Sequence, residues 1–196
     1  MIDIFIPSCK DNIDGMLDEI RRNTQSKYRL IRRCRPDSAA VNRNCCLRLM
    51  KNHVGIMLDD DITGFYPGWE EQLVAPLDDH SVSMVSARLL NLDGTFGDTC
   101  SRCLLSTPER IPIKPGPYSI LPTAAIAFRN FGILFDEGYV GSGFEDSDWC
   151  FEHHKQYPDG VFIQSNECRL IHLNEMKNQK GFNWAANKER FESKWM

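Results

Sequence analysis

The sequence predicts an α/β sandwich whose central sheet is mixed, mostly parallel and flanked by helices. Three observations support this. The first 58 residues alternate strand and helix patterns in the order strand, helix, strand, helix, strand, which calls for parallel strands joined by right-handed crossovers. The first and third strand patterns end in polar or acidic segments, "SCKDN" and "DDD", and ligands of such folds bind beyond the carboxyl ends of the strands. Length and composition (196 residues, 42% hydrophobic, 26% charged) suit one globular domain.

Each element follows from local pattern. "IDIFIP" alternates and then runs apolar before Pro7, as a buried strand stopping at a proline does. "NIDGMLDEIRRNT" spaces Ile13, Leu17 and Ile20 along one helical face. "KYRLIRRC" reads as a second strand, and "PDSAAVNRNCCLRLMKN" as a helix capped by Asp37 or Ser38. "VGIML" is the third strand, "GWEEQLVAPLDD" a short helix, "SVSMVSARLLN" a strand, and "LDGTFG" a hairpin turn through Asp93 and Gly94. Residues 98–120, rich in Pro, Ser and Cys, carry no assignable pattern. Beyond them "LPTAAIAFR" is strand-like and "GSGFEDSDWCFEHHKQYP" opens a helix after a glycine-flexible loop. "VFIQ" and "CRLIHL" read as two strands, "NEMKNQKGFN" as a polar mobile segment, and residues 184–195 as a final helix.

Composition narrows the setting. Apolar runs break off well short of the roughly 18 residues a membrane span needs, and the N-terminal segment lacks a basic region and cleavage site, so a soluble, cytoplasmic protein without a transmembrane segment is expected. Eight cysteines in such a chain favour reduced thiols. The Cys100–Cys103 pair has zinc spacing but no second pair to complete four ligands. The net charge of −4 conceals an asymmetry: residues 21–51 hold ten Lys and Arg side chains against Asp37 alone. Either that face meets an anionic partner or acids from elsewhere in the fold neutralise it.

The chemistry lies in two acidic groups. Asp59, Asp60 and Asp61 repel one another unless a cation sits among them, and oxygen ligands suit Mg²⁺ or Mn²⁺. In an extended strand end Asp59 and Asp61 share a side while Asp60 points away. Glu145, Asp146 and Asp148 open a helix, where the dipole favours acids even without a function.

In combination these motifs resemble a family 2 glycosyltransferase of the GT-A fold over about residues 2–173. "IDIFIPSCKDN" resembles the opening strand that holds the nucleotide, "AAVNRN" the small-residue helix with its Arg-Asn pair, and "IMLDDDI" the D-x-D strand. "TAAIAFRN" with "FDEGYVGSGFEDSDWCF" is similar to the acceptor-side strand, the Phe-Asp-Glu turn and the Glu-Asp motif, and "RLIHL" to the strand whose histidine completes the metal site. The resemblance implies a single GT-A domain, with about 1–97 binding donor and metal and about 98–196 binding acceptor and performing catalysis.

It implies these roles. Asp61 and His172 bind Mn²⁺ or Mg²⁺, and Asp59 contacts the metal or the donor ribose. Pro7, Ser8, Asp60 and Arg43 lie with the nucleotide-diphosphate sugar, first of all a UDP-sugar. Asp146 is the general base of an inverting displacement, and Glu145 orients the acceptor. The second strand lacks the acid that reads uracil in many relatives, leaving Asp37 as its substitute. Without a Gln-x-x-Arg-Trp segment, one sugar per acceptor is expected. The acceptor is a glycan or, if the basic stretch faces a polyanion, hydroxymethylated DNA. Two other classes compete. A sugar nucleotidyltransferase would need a glycine-rich loop after strand one, which "PSCKDN" is not; a non-catalytic nucleotide-sugar or nucleic-acid binding module would bind without turnover.

Overall fold

The computed structural model describes residues 1–34, 37–97, 101–104, 107–112, 120–173 and 183–196. Seven strands form one sheet: β1 (Ile2–Ser8), β2 (Tyr28–Cys34), β3 (Val54–Leu58), β4 (Ile62–Thr63), β5 (Val82–Leu90), β8 (Ala125–Arg129) and β9 (Val161–His172). Between β5 and β8, β6 (Ser101–Leu104) and β7 (Thr107–Pro112) form a separate antiparallel pair. The order across the large sheet is β2-β1-β3-β8-β5-β9-β4. β1, β2, β3, β5 and β9 run one way, and β8 and β4 run against them. The sheet is therefore mixed and mostly parallel, as expected.

Among the described residues five α-helices accompany the sheet: α1 (Asp14–Asn23), α2 (Ala39–Leu47), α3 (Trp69–Val74), α4 (Glu145–Gln156) and α5 (Trp184–Trp195). Successive strand residues face opposite sides, and this alternation divides the core. Ile4, Ile6, Ile56 and Leu58 pack with Leu17 and Ile20 of α1 and with Trp69 and Leu73 of α3. Phe5, Met57, Met84 and Ile126 point the other way, onto Leu47 of α2 and Trp149 of α4. Each such fully buried side chain contributes about 1.5–3 kcal/mol relative to exposure. A third, smaller cluster joins Phe191 of α5 to Tyr139, Phe144 and Phe151.

Gly55 shows how tight the second layer is. A Cβ there would lie 2.8 Å from the rings of both Phe5 and Phe128, so β3 needs a residue without a side chain where the two rings close over it.

Two expectations change. "VFIQ" and "CRLIHL" belong to one strand, β9, whose register against β5 slips between Gln164 and Arg169. Ser165 Oγ accepts from the amides of Glu167 and Cys168 at the irregularity, so a polar tripeptide that looks like a break is spanned by side-chain hydrogen bonding. The two-residue β4 was not anticipated. Ser38 is the N-cap of α2, accepting from Val41 N at 3.4 Å. Cys100 and residues 174–182 of the segment expected to be mobile lie outside the described residues.

Candidate active site

The carboxyl ends of β1, β3 and β9 meet at one edge of the sheet. Because β8 is antiparallel, the residues preceding it, Thr123 and Ala124, come to that edge too, and Asp59 N donates to Ala124 O at 2.8 Å. β4 then turns back against β9 with Ile62 opposite His172, and Leu173 N donates to Asp61 O at 3.0 Å. This short pairing carries His172 to Asp61: Nε2 lies 3.2 Å from Oδ1.

Asp59, Asp61 and His172 each offer a ligand atom, all within 4.8 Å of one another. Two carboxylates and an imidazole fit Mn²⁺ or Mg²⁺ as a donor set, the imidazole suiting Mn²⁺ better. Asp61 is buried, while His172 and Asp59 keep partial exposure, so the group opens toward solvent on one side.

Arg43 links this group to the second acidic cluster. It projects from α2 into a buried position, with Nη2 3.1 Å from Asp59 Oδ1 and Nη1 2.9 Å from both Glu145 Oε1 and Asp146 Oδ1. Burial opposes its charge, but Asp146, Asp59 and Glu145 together outweigh that cost and hold the guanidinium's pKa above its ordinary value. Burial also raises the Asp59 pKa, against the pull of Arg43. Glu145 is buried deeply beside Asp146, and those two effects, opposed by Arg43, push its pKa up to about 7.

The three acids that open α4 differ in access. Glu145 faces inward, to Arg43 and to the amide of Gly143. Asp148 is buried and receives Tyr139 Oη, Lys194 Nζ and Trp195 Nε1. Asp146, with its side chain 27% exposed, is the one open to a ligand. Its Oδ1 accepts from Arg43 Nη1 and from Thr123 Oγ1 at 2.6 Å, while Oδ2 has a longer approach, 3.3 Å, from Thr123 N.

The remaining residues named from the sequence lie nearby or apart. Asp60 turns toward the loop after β1, where Oδ2 accepts from Ser8 Oγ at 2.7 Å and Cys9 N at 3.2 Å, and Lys10 Nζ reaches its carbonyl at 3.1 Å. Pro7 precedes Ser8 at the end of β1. Asp37 is exposed at the bend before α2, where its carbonyl accepts from Asn42 Nδ2. Sequence reasoning missed Thr123, Lys10 and the bridging by Arg43. A lone Thr before a strand carries no motif, and the partners of Arg43 lie up to 103 residues away in the chain.

No family model and no curated protein matches the sequence. Solved structures do. GalNAc-T7 with UDP, GalNAc and Mn²⁺ superposes with a TM-score of 0.65 at 14% identity, over 88% of this chain and 44% of that one. The mannosyltransferase PcManGT of Pyrobaculum calidifontis, in complex with GDP-Man and Mn²⁺, gives 0.61 at 12% identity, over 90% of this chain and 58% of that one. This is the GT-A fold. S. aureus TarS 1–349 with UDP-GlcNAc shares it at a TM-score of 0.59 and 12% identity, over 88% of this chain and 58% of that one. The chain thus spans about half the length of the GT-A structures it resembles.

Proposed function

We propose that the chain is a metal-dependent inverting glycosyltransferase that moves one sugar from a nucleotide-diphosphate sugar to an acceptor hydroxyl. The observation that carries this reading is the joining of Asp59, Asp61 and His172 to Asp146 through one buried arginine at the carboxyl edge of the sheet. The GT-A fold, and neighbours bearing UDP or GDP-sugar donors and Mn²⁺, support it.

Asp61, His172 and Asp59 would hold Mn²⁺ or Mg²⁺, which when bound neutralises the diphosphate leaving group. The chain's own residues do the rest. Asp146 takes the proton of the acceptor hydroxyl at Oδ2, the oxygen less engaged by protein donors, while Thr123 Oγ1 and Arg43 fix Oδ1. The acceptor oxygen bonds to the anomeric carbon as the bond to the diphosphate breaks, and one in-line displacement inverts that carbon. Glu145 and Asp59 share the charge of Arg43, so the guanidinium keeps base and donor site at a fixed spacing. The end of β1, Pro7 and Ser8, and the loop beyond it, which Asp60 holds through Ser8 and Cys9, border the donor, for which a UDP-sugar is the first choice. The acceptor is the hydroxyl of a glycan or of a hydroxymethylated base.

The deciding experiment incubates the protein with Mn²⁺ and a panel of sugar nucleotides against glycan and DNA acceptors, read by mass spectrometry. Donor turnover that excess chelator and Asp61→Ala both abolish supports the reading. Turnover undiminished in chelator overturns it, and tight donor binding without any turnover indicates a binding module.

A further inference from the structure

Directly before Glu145 and Asp146 the backbone is strained. Phe144, the N-cap of α4, has φ 69°, the one positive φ outside glycine among the described residues, and Gly141 and Gly143 on either side of Ser142 are left-handed as well. A bulky residue in this region costs about 1–3 kcal/mol and persists only where its surroundings over-determine it. The side chain of Asp148 does not hold this turn: it is taken up by Tyr139, Lys194 and Trp195.

The Gly143 amide donates to Glu145 and the Gly141 carbonyl accepts from Ala39 N at 3.0 Å, but the most extensive restraint comes from α5. Asn187 is 2% exposed, and its amide spans the turn from inside. Oδ1 accepts from Val140 N at 3.0 Å, while Nδ2 donates to Val140 O and Gly143 O, both at 3.0 Å, and to Ser142 O at 3.4 Å. Phe191, one helical turn on, packs against the Phe144 ring at 5.5 Å. Other bonds dock α5 independently. Arg190 makes a forked pair with Asp136, and Lys194 binds Asp148 at 2.8 Å and Glu152 at 2.9 Å. The helix would therefore stay in place without Asn187.

We infer that Asn187 is a positioning residue: by holding the backbone of 140–143 it fixes the strained entry to α4 and with it the place of Asp146. This inference rests on the role proposed above for Asp146. Asn187 touches neither Asp146 nor the Asp59, Asp61 and His172 group through any hydrogen bond described, so its effect passes through the turn.

The test compares Asn187→Ala and Asn187→Asp with the wild type, and with Lys188→Ala at the next, exposed position as control. Asp keeps an acceptor for Val140 N but sets a carboxylate against three carbonyls. Hydrogen exchange by mass spectrometry should show residues 141–148 exchanging at least tenfold faster in both Asn187 variants, with β1, β3 and β5 unchanged. Transfer should lose roughly tenfold in kcat with the donor KM unmoved, and Lys188→Ala should match the wild type. Unchanged exchange at 141–148, exchange accelerated across the whole sheet, or a wild-type kcat despite a loosened turn would each overturn the inference. If the wild type transfers no sugar, the functional reading fails, while the exchange measurement still decides whether Asn187 holds the turn.

Discussion

In the role proposed for it, Asp146 would meet an incoming hydroxyl with Oδ1 already accepting from Arg43 and Thr123 Oγ1 and Oδ2 approached only by Thr123 N at 3.3 Å. Asp146→Asn keeps the size of the side chain and most of its contacts but cannot accept a proton. Sugar transfer should fall roughly 10²-fold or more, the usual contribution of a positioned base, with donor binding preserved. Kinetics and calorimetry on the same preparation check both halves of this expectation. Its neighbour Glu145 should reveal itself in stability. Its pKa rises in the folded protein from 4.5 to about 7. Between those values the native state keeps a proton that the unfolded chain has released, so stability falls as pH rises through the window and levels off above it. Urea midpoints at pH 4.5 and 7.5 should show this decline in the wild type, and Glu145→Gln should flatten it. At this scale the sequence was informative only where chemistry lies close along the chain. Asp59 and Asp61 are legible from strand alternation, whereas Thr123 and Asn187 act through tertiary contacts that no local pattern announces.

Among elements, β2 repays attention. Its arginines suggest a face for a polyanion, yet Arg29 pairs with buried Asp3 at 2.8 Å, and Arg32 donates to the carbonyls of Lys10 and Asp11 at 2.8 and 2.9 Å. Outside β2, Arg48 pairs with Glu137 and Arg43 lies in the candidate site. Much of the asymmetry in residues 21–51 is thus balanced by groups from other segments. Arg32 braces the loop that Asp60 also holds, so Arg32→Gln should raise the donor KM several-fold, with little change in its dependence on salt. A steep loss of acceptor affinity that salt erases would instead return β2 to the acceptor. The elements legible in the sequence are those with a long, uniform period: β1, α1, β2, α2 and β3 all lie close to where their patterns place them. β4 has only two residues, too few for any period, and β9 hides its continuity behind the polar Ser165–Asn166–Glu167. The short β4 nonetheless sets His172 against Asp61, so an element invisible to pattern reading positions a residue that the motif identified.

For the molecule as a whole, the sheet order was the least legible property, since pattern gives the direction of a βαβ crossover but not where a later strand inserts. β8 lies between β3 and β5, pairing Leu58 with Ala125 on one side and Ser86 with Ile126 on the other. The two halves that the resemblance divides near residue 97 therefore share one continuous sheet. A fragment of residues 1–97 should fail to fold on its own, giving circular dichroism without a cooperative melt; a sharp transition would refute this. The same insertion has a consequence during synthesis. When β5 leaves the ribosome neither of its partners, β8 and β9, has been made, and β3 and β5 must wait, edges bare, for more than thirty further residues before β8 arrives. Unpaired apolar edges are the surfaces on which nascent chains stick to one another. The chain is thus most exposed to misassembly in the interval before β8 emerges, and a chaperone's greatest benefit would fall there.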